Sequence, residues 1–223
     1  MPQDEEANIE VTGFAWVPSF ARGQVRDLRV RWALEEIGRD YKTRLLDRRG
    51  GREDNDPGQP FAQVPVYREG ALTLFECGAI ALHIAEKDER LLPKDPTQRA
   101  RAIAWLFAAL NSIDPMMGQL QDIDLFNRGA AWTVERRPSV VKQLEKRLQQ
   151  LSETLGDKDW LEERFTVGDL MMVATLRGLK PDQLSIPGNL LAYVARGESR
   201  PAFQAALAAQ MGDFAPDEEG VAA

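Results

Sequence analysis

The spacing of apolar residues changes once along the chain. Up to about residue 75 they alternate in short runs around a single helical stretch. After a proline-containing segment they recur at three- and four-residue spacing. Residues 9–15, IEVTGFA, are β-branched and aromatic and predict a strand. Val30, Ala33, Leu34 and Ile37 share one helical face and Gly38 is a natural stop, which predicts a helix over about 23–37. YKTRLLD (41–47) alternates like a second strand. RRGGREDNDPGQ (48–59) predicts a loop. VPVYREGALTLF (64–75) predicts two short strands around a Glu69-Gly70 turn. In ECGAIALHIAEK, Ile80, Leu82, Ile84 and Ala85 predict a helix laid on the sheet.

The first part therefore reads β-α-β, loop, β-β-α, with a parallel crossover between the first two strands and a closing hairpin. DERLLPKDPTQ (88–98), with Pro93 and Pro96, predicts a linker. Beyond it RARAIAWLFAALNSI opens one long helix. VERRPSVVKQLEKRLQQLSETLG gives another, with Val141, Leu144, Leu148 and Leu151 on one stripe. Thr166-Val-Gly-Asp169 precedes the apolar run LMMVATL, and further helices are expected at 188–196 and 201–210. The expected organisation is an α/β domain over 8–88, an all-helical domain over 97–212, and disordered tails at 1–7 and 213–223.

Composition narrows the chemistry. The 223 residues are 43% hydrophobic and 28% charged, ordinary for a globular protein. A formal net charge of −7 argues against a nucleic-acid partner, which would be held by Lys and Arg on phosphates. No apolar run reaches the roughly 18 residues of a membrane span, and MPQDEEANIE lacks a secretory layout, so no membrane association and a cytoplasmic location are expected. With Cys77 as the only cysteine and His83 as the only histidine, neither a Cys-x-x-Cys centre nor a multi-histidine metal site is available, and no metal is expected.

Several local motifs, taken in order, resemble the cytosolic glutathione transferase family. Val30-Arg31-Trp32-Ala33-Leu34-Glu35-Glu36 with Gly38 is similar to its first helix. Gln63-Val64-Pro65 resembles its Val-Pro dipeptide, and Glu76-Cys77 with Ala79-Ile80 and Ile84-Ala85-Glu86 resembles its E-S-x-A-I element. Thr166-Val-Gly-Asp169 resembles its capping box, and Arg200-Pro201-Ala202-Phe203 its RPA segment. The resemblance spans roughly residues 10–205. It implies a thioredoxin-like domain followed by a helical bundle. It also implies glutathione as co-substrate, a small hydrophobic electrophile as second substrate, and a homodimer.

The same resemblance assigns residues. Pro65 would follow a cis bond that turns the Val64 N–H and C=O toward the cysteinyl backbone of glutathione. Gln63 would meet the glycyl end, with the Arg48-Arg49 pair as another possibility. The γ-glutamyl carboxylate would sit at the amides beginning the helix at Cys77, and Glu76 would take the α-ammonium. Cys77 stands where Ser is usual, and a thiol is a weaker donor. The reaction needs a stabilised thiolate. Ser19 is the only hydroxyl between the first strand and helix, and Arg22 is the electrostatic alternative; the Trp16–Arg29 connection is longer than usual. Trp16 and Trp105 would border the second-substrate pocket. Two other outcomes stay open: a non-catalytic scaffold, and a glutathione-dependent isomerase or dehalogenase.

Overall fold

In a computed structural model that describes residues 4–49 and 54–215, strand β1 (Ile9–Phe14) pairs parallel with β2 (Lys42–Leu46) and antiparallel with β3 (Val66–Glu69). β3 pairs antiparallel with β4 (Leu72–Phe75), so the sheet order is β2-β1-β3-β4. Gly70, at φ +58°, closes the β3–β4 hairpin in a conformation that glycine adopts without a Cβ clash. Helix α1 (Asp27–Ile37) makes the crossover, and α2 (Cys77–Ala85) follows the hairpin. This is the thioredoxin-like arrangement that the family resemblance implied. Helix α1 ends as expected, with Gly38 at φ +66° taking the left-handed cap. It begins four residues later than the periodicity suggested. Gly23 is at φ +73°, residues 24–26 are turn and bend, and Arg26 gives no side-chain cap.

Contacts sort the chain into two compact units, one formed by the chain up to Leu91 together with the segment from Ser199 onward, the other by Leu92–Glu198. The last helix, α8 (Pro201–Asp213), thus packs in the first unit, not with the other helices of the second half. Two sequence motifs meet there. Arg200 donates Nε and Nη2 to the Glu36 carboxylate at 2.6 and 2.8 Å, and the indole of Trp32 donates to the same carboxylate at 2.8 Å. Phe203 meets Trp32 edge-on, with ring centroids 4.9 Å apart.

Residues 4–7 and 213–215, within the expected tails, contact the rest of the first unit. Asp4 N–H donates to the Tyr41 carbonyl at 2.9 Å, Ala7 is buried, and Ala215 N–H donates to the Ala15 carbonyl at 2.8 Å. Residues 1–3 and 216–223, like 50–53 of the 48–59 loop, lie outside the described residues.

In the second unit Asp95 caps α3 (Pro96–Ala108), accepting from the N–H groups of Thr97 and Gln98 at 3.1 and 2.9 Å. The helix runs on through a π-helical turn, Ala109–Ile113, into α4 (Asp114–Gln121) and a second π turn, Asp122–Phe126. Along α5 (Ala131–Leu155) the buried stripe is Val140, Leu144, Leu148, Leu151 and Leu155. Val140 is the buried valine there and Val141 is half-buried, a one-residue correction to the expected stripe. Helix α6 (Val167–Leu176) starts with the expected reciprocal cap between Thr166 and Asp169. Helix α7 (Gly188–Glu198) completes the unit.

Candidate functional site

Strand register gathers the candidate residues of the first unit at one end of its sheet. Val66 pairs with Phe75, so Val64-Pro65, just before β3, and Glu76-Cys77, just after β4, leave the hairpin at the same end. Val11 pairs with Tyr67 and runs antiparallel to it, so the chain leaving β1 toward Ala15 emerges at that end as well. β2 ends there too, with Ala15 N–H donating to the Leu46 carbonyl at 2.9 Å. The loops carrying Ser19, Gln63-Val64 and Glu76 thus lie at one end of the sheet although they are separated in sequence.

The Val64-Pro65 bond is cis and both residues are buried. The β3–β4 ladder begins at Val66, so the Val64 N–H and C=O lie outside it. Thr12, fully buried on β1, accepts from Val66 N–H at 2.7 Å and anchors the strand directly behind the dipeptide. Gln63 is exposed. Arg48 donates to the carbonyl of Ala62 at 3.0 Å, which brings that arginine next to Gln63, while Arg49 is paired with Asp47.

At the start of α2, Glu76 occupies φ +68°, ψ +112° and is exposed. A β-carbon in this region costs of order 1–3 kcal/mol, and such residues concentrate at ligand-holding positions. The conformation carries the chain from strand to helix in one step. The opening amides of α2 then follow immediately, where an anion is favoured by unsatisfied N–H groups and the helix dipole. Cys77 is buried, with 2% of its surface exposed, and Arg29 Nη1 of α1 lies 3.8 Å from its sulfur. Burial removes it from consideration as an exposed nucleophile. Arg29 was not legible beforehand, because a basic residue on a helix ordinarily reads as solvent-facing.

Ser19 opens a 3-10 turn, Ser19–Ala21, and is exposed. It precedes α1 by more than a turn, so a dipole effect that fades within the first helical turn gives it little help. Arg22 is half-buried. Its Nη2 donates to the Ala215 carbonyl at 3.4 Å and its guanidinium lies 5.9 Å from the Phe214 ring centre. At the base of this loop sits a buried cluster absent from the sequence-based expectations. Asp27 accepts from Arg31 Nε at 2.8 Å and from Gln210 Nε2 at 2.7 Å, and Arg31 Nη1 contacts Asp213 at 2.7 Å. Burial pushes the Asp27 carboxyl above its usual range, against the pull of Arg31 and Gln210.

The remaining candidates are placed each in its own unit. Trp16 is half-buried on the loop after β1. Trp105, on α3, donates its indole N–H to Glu162 at 2.8 Å, and its Cβ packs against Gly168 of the α6 cap. Asp56 anchors the loop before Gln63. It accepts from Arg44 at 2.8 Å, from Gly58 N–H at 2.8 Å and from Arg68, which hold its carboxyl below the usual range despite burial. His83 lies 3.5 Å from Glu69, which also bonds Tyr67 and Lys87, and edge-on to the Tyr67 ring. Among the described residues no group of three or more His, Cys, Asp or Glu is placed to hold a metal ion, and no helix is long and apolar enough to cross a membrane.

Residues 20–86 match the N-terminal domain of glutathione S-transferases. The chain is 30% identical over 189 residues to the glutathione S-transferase GstA of Escherichia coli O157:H7, a match covering 79% of this chain and 90% of the relative. It is 31% identical over 158 residues to the disulfide-bond oxidoreductase YfcG of Escherichia coli K12, covering 66% and 69%. Its fold superimposes with a TM-score of 0.75 on a glutathione transferase from Burkholderia graminis solved with two glutathione molecules per subunit, at 23% identity over 92% of this chain and 90% of that one. The motifs, the sheet order and the extent of the GstA match agree: the chain belongs to the glutathione S-transferase family.

Proposed function

We propose that this protein is a glutathione transferase whose first unit binds glutathione along Val64 and the start of α2, stabilises its thiolate, and delivers it to a small hydrophobic electrophile. The observation that carries the reading is Glu76. A non-glycine residue held at φ +68° beside buried Cys77 begins α2 at the end of the sheet where Val64 lies, which supports this reading. In this reading the γ-glutamyl carboxylate meets those amides and Glu76 meets the ammonium. The Val64 N–H and C=O pair with the cysteinyl backbone, and Gln63, with Arg48 beside it, meets the glycyl carboxylate. Burial of the Cys77 thiol leaves the backbone amide as that position's contribution.

Free glutathione ionises near pH 8–9, as cysteine does, so only a modest stabilisation of its thiolate is required at neutral pH. Ser19 supplies it by donating its hydroxyl hydrogen to the sulfur. Arg22 is directed to the C-terminal segment and acts at longer range. Trp16, on the same loop as Ser19, borders the electrophile; Trp105, committed to Glu162, serves packing first. The protein acts as a cytoplasmic homodimer in this reading.

The likeness to YfcG supports a second reaction of the same site, in which the glutathione thiolate attacks a disulfide sulfur, forms a mixed disulfide and expels the other sulfur as thiolate. Retention on immobilised glutathione, followed by turnover assays with an aryl halide and with a small disulfide, tests the proposal. Retention with either turnover is expected. Retention without turnover favours a scaffold, and no retention removes the glutathione reading.

A further inference from the structure

We infer that the end of α8 and the two residues after it form a strap that positions the loop offering Ser19, which makes Gln210 and Ala215 positioning residues for thiol activation. The inference rests on the reading that Ser19 faces the glutathione thiol.

Residues 15–26 form no regular helix or strand beyond the Ser19–Ala21 turn. Their internal backbone bonds are single turns, such as Ala21 N–H to Pro18 at 2.8 Å and Gln24 N–H to Ala21 at 3.0 Å, and Ser19 and Phe20 are exposed. A segment of this kind keeps one conformation only if tertiary contacts hold it. The strap supplies contacts at both ends and in the middle. Ala215 N–H donates to the Ala15 carbonyl at 2.8 Å where the loop leaves β1. Arg22 Nη2 donates to the Ala215 carbonyl at 3.4 Å. Gly23 passes so close to α8 that a Cβ there would come within 3.2 Å of Leu207 Cδ1 and 3.8 Å of Met211 Sδ. Where the loop enters α1, Gln210 Nε2 donates both to the Val25 carbonyl at 3.2 Å and to Asp27 Oδ1 at 2.7 Å.

The grip is built on a rigid base. Asp27, Arg31 and Gln210 are each about 1% exposed, and Arg31 links Asp27 to Asp213 at the end of the same helix. Gly13, near the end of β1, lies against this base, since a Cβ on it would meet Arg31 Nη2 at 3.0 Å and Asp27 Oδ2 at 3.1 Å. The loop is therefore suspended between the sheet and the last helix. Ser19 lies between its two fixed ends and takes its position from both.

Two variants separate the strap from general stability. Gln210→Ala removes the lower grip. Ala215→Pro removes the N–H given to Ala15 and fixes the backbone there, outside the buried cluster of Asp27, Arg31 and Gln210, so it serves if Gln210→Ala fails to fold. Amide hydrogen exchange and the ionisation of glutathione bound to the full-length protein are measured for each. We expect residues 15–26 to exchange about tenfold faster, with β1 and the centre of α1 unchanged. We also expect glutathione affinity to stay within about twofold, while the thiol ionises about one pH unit higher than in the wild type. Unchanged loop exchange overturns the strap. Faster loop exchange with an unchanged thiol ionisation overturns the positioning role. If the wild type does not bind glutathione, the functional reading and the positioning role fall together, and the exchange data still decide whether the strap holds the loop.

Discussion

Gln210 of α8 donates its side-chain N–H to Asp27 Oδ1 at 2.7 Å, across 183 residues of sequence, while Arg31 holds the other oxygen at 2.8 Å. A carboxylate, a guanidinium and an amide are thus buried together at the first turn of α1. Removing one partner of a buried ion pair costs about 3–5 kcal/mol because the other charge is left uncompensated. Arg31→Met is expected to destabilise the protein by that order at pH 7. Without Arg31 the Asp27 carboxyl rises further above its unfolded value near 3.8, so the folded state binds more protons than the unfolded one above that pH. The stability of the variant should therefore fall as pH rises from about 4 toward neutrality, relative to wild type. Denaturant midpoints measured across that range check it; a constant difference would contradict it.

Glu69 shows the opposite sign. Lys87, Tyr67 and His83 bond its carboxylate and hold its pKa down to about 2. A carboxyl depressed in the folded state contributes stability above its unfolded value near 4.5 and loses it as pH falls toward 2. Glu69→Gln should lower stability at pH 7 and flatten its loss between about pH 4.5 and 2. Thermal melts of both proteins over that interval read the difference directly.

Asp169 is fully buried and accepts from Leu161 N–H at 2.8 Å, Thr166 N–H at 2.9 Å, Thr166 Oγ1 at 3.1 Å and Tyr193 OH at 3.0 Å. It caps α6 and ties the preceding loop and α7 to it. Asp169→Ala strands several buried donors at once, so a loss of about 3 kcal/mol is expected, more than an exposed cap is worth. An unchanged melting temperature would count against it.

The glycine inside that cap is constrained by packing. A Cβ on Gly168 would come 2.6 Å from Trp105 Cβ and 2.8 Å from the Ala102 carbonyl oxygen. Neither is the far end of a flexible chain, so α3 would have to move. Gly168→Ala should cost about 1–3 kcal/mol, whereas Gly118→Ala, inside α4 with nothing within 4 Å of its Cβ, should stabilise by about 0.5–1 kcal/mol. Paired urea titrations compare the two.

The elements that were legible in the sequence are those set by local chemistry. IEVTGF reads as a strand from its β-branched residues, Gly38 and Gly70 mark a helix end and a hairpin, and Thr166 with Asp169 marks a helix start. The α1 boundary was misplaced because Val30, Ala33, Leu34 and Ile37 mark the helix's face but not its start, and Gly23 and an uncapped Arg26 keep the preceding segment outside it. Val140 and Val141 are adjacent, and periodicity alone does not decide which faces inward. The dipeptides at Val64-Pro65 and Glu76-Cys77 stood out as motifs. Thr12, Arg29, Gln210 and Ala215 did not, because each takes its role from a partner brought close only by folding, and a polar residue on a helix or in an acidic tail gives no local sign of burial. Of the tail expected over 213–223, residues 213–215 are described, and Asp213 and Ala215 contact Arg31 and Ala15.

A titration of isotopically labelled protein with glutathione, followed through backbone amide resonances, tests the central claim most directly. The account predicts saturable shifts at Val64 and at Cys77 and Gly78, where the tripeptide backbone and its γ-glutamyl carboxylate are placed. Saturation that leaves those amides unmoved, or no saturation at all, would contradict it.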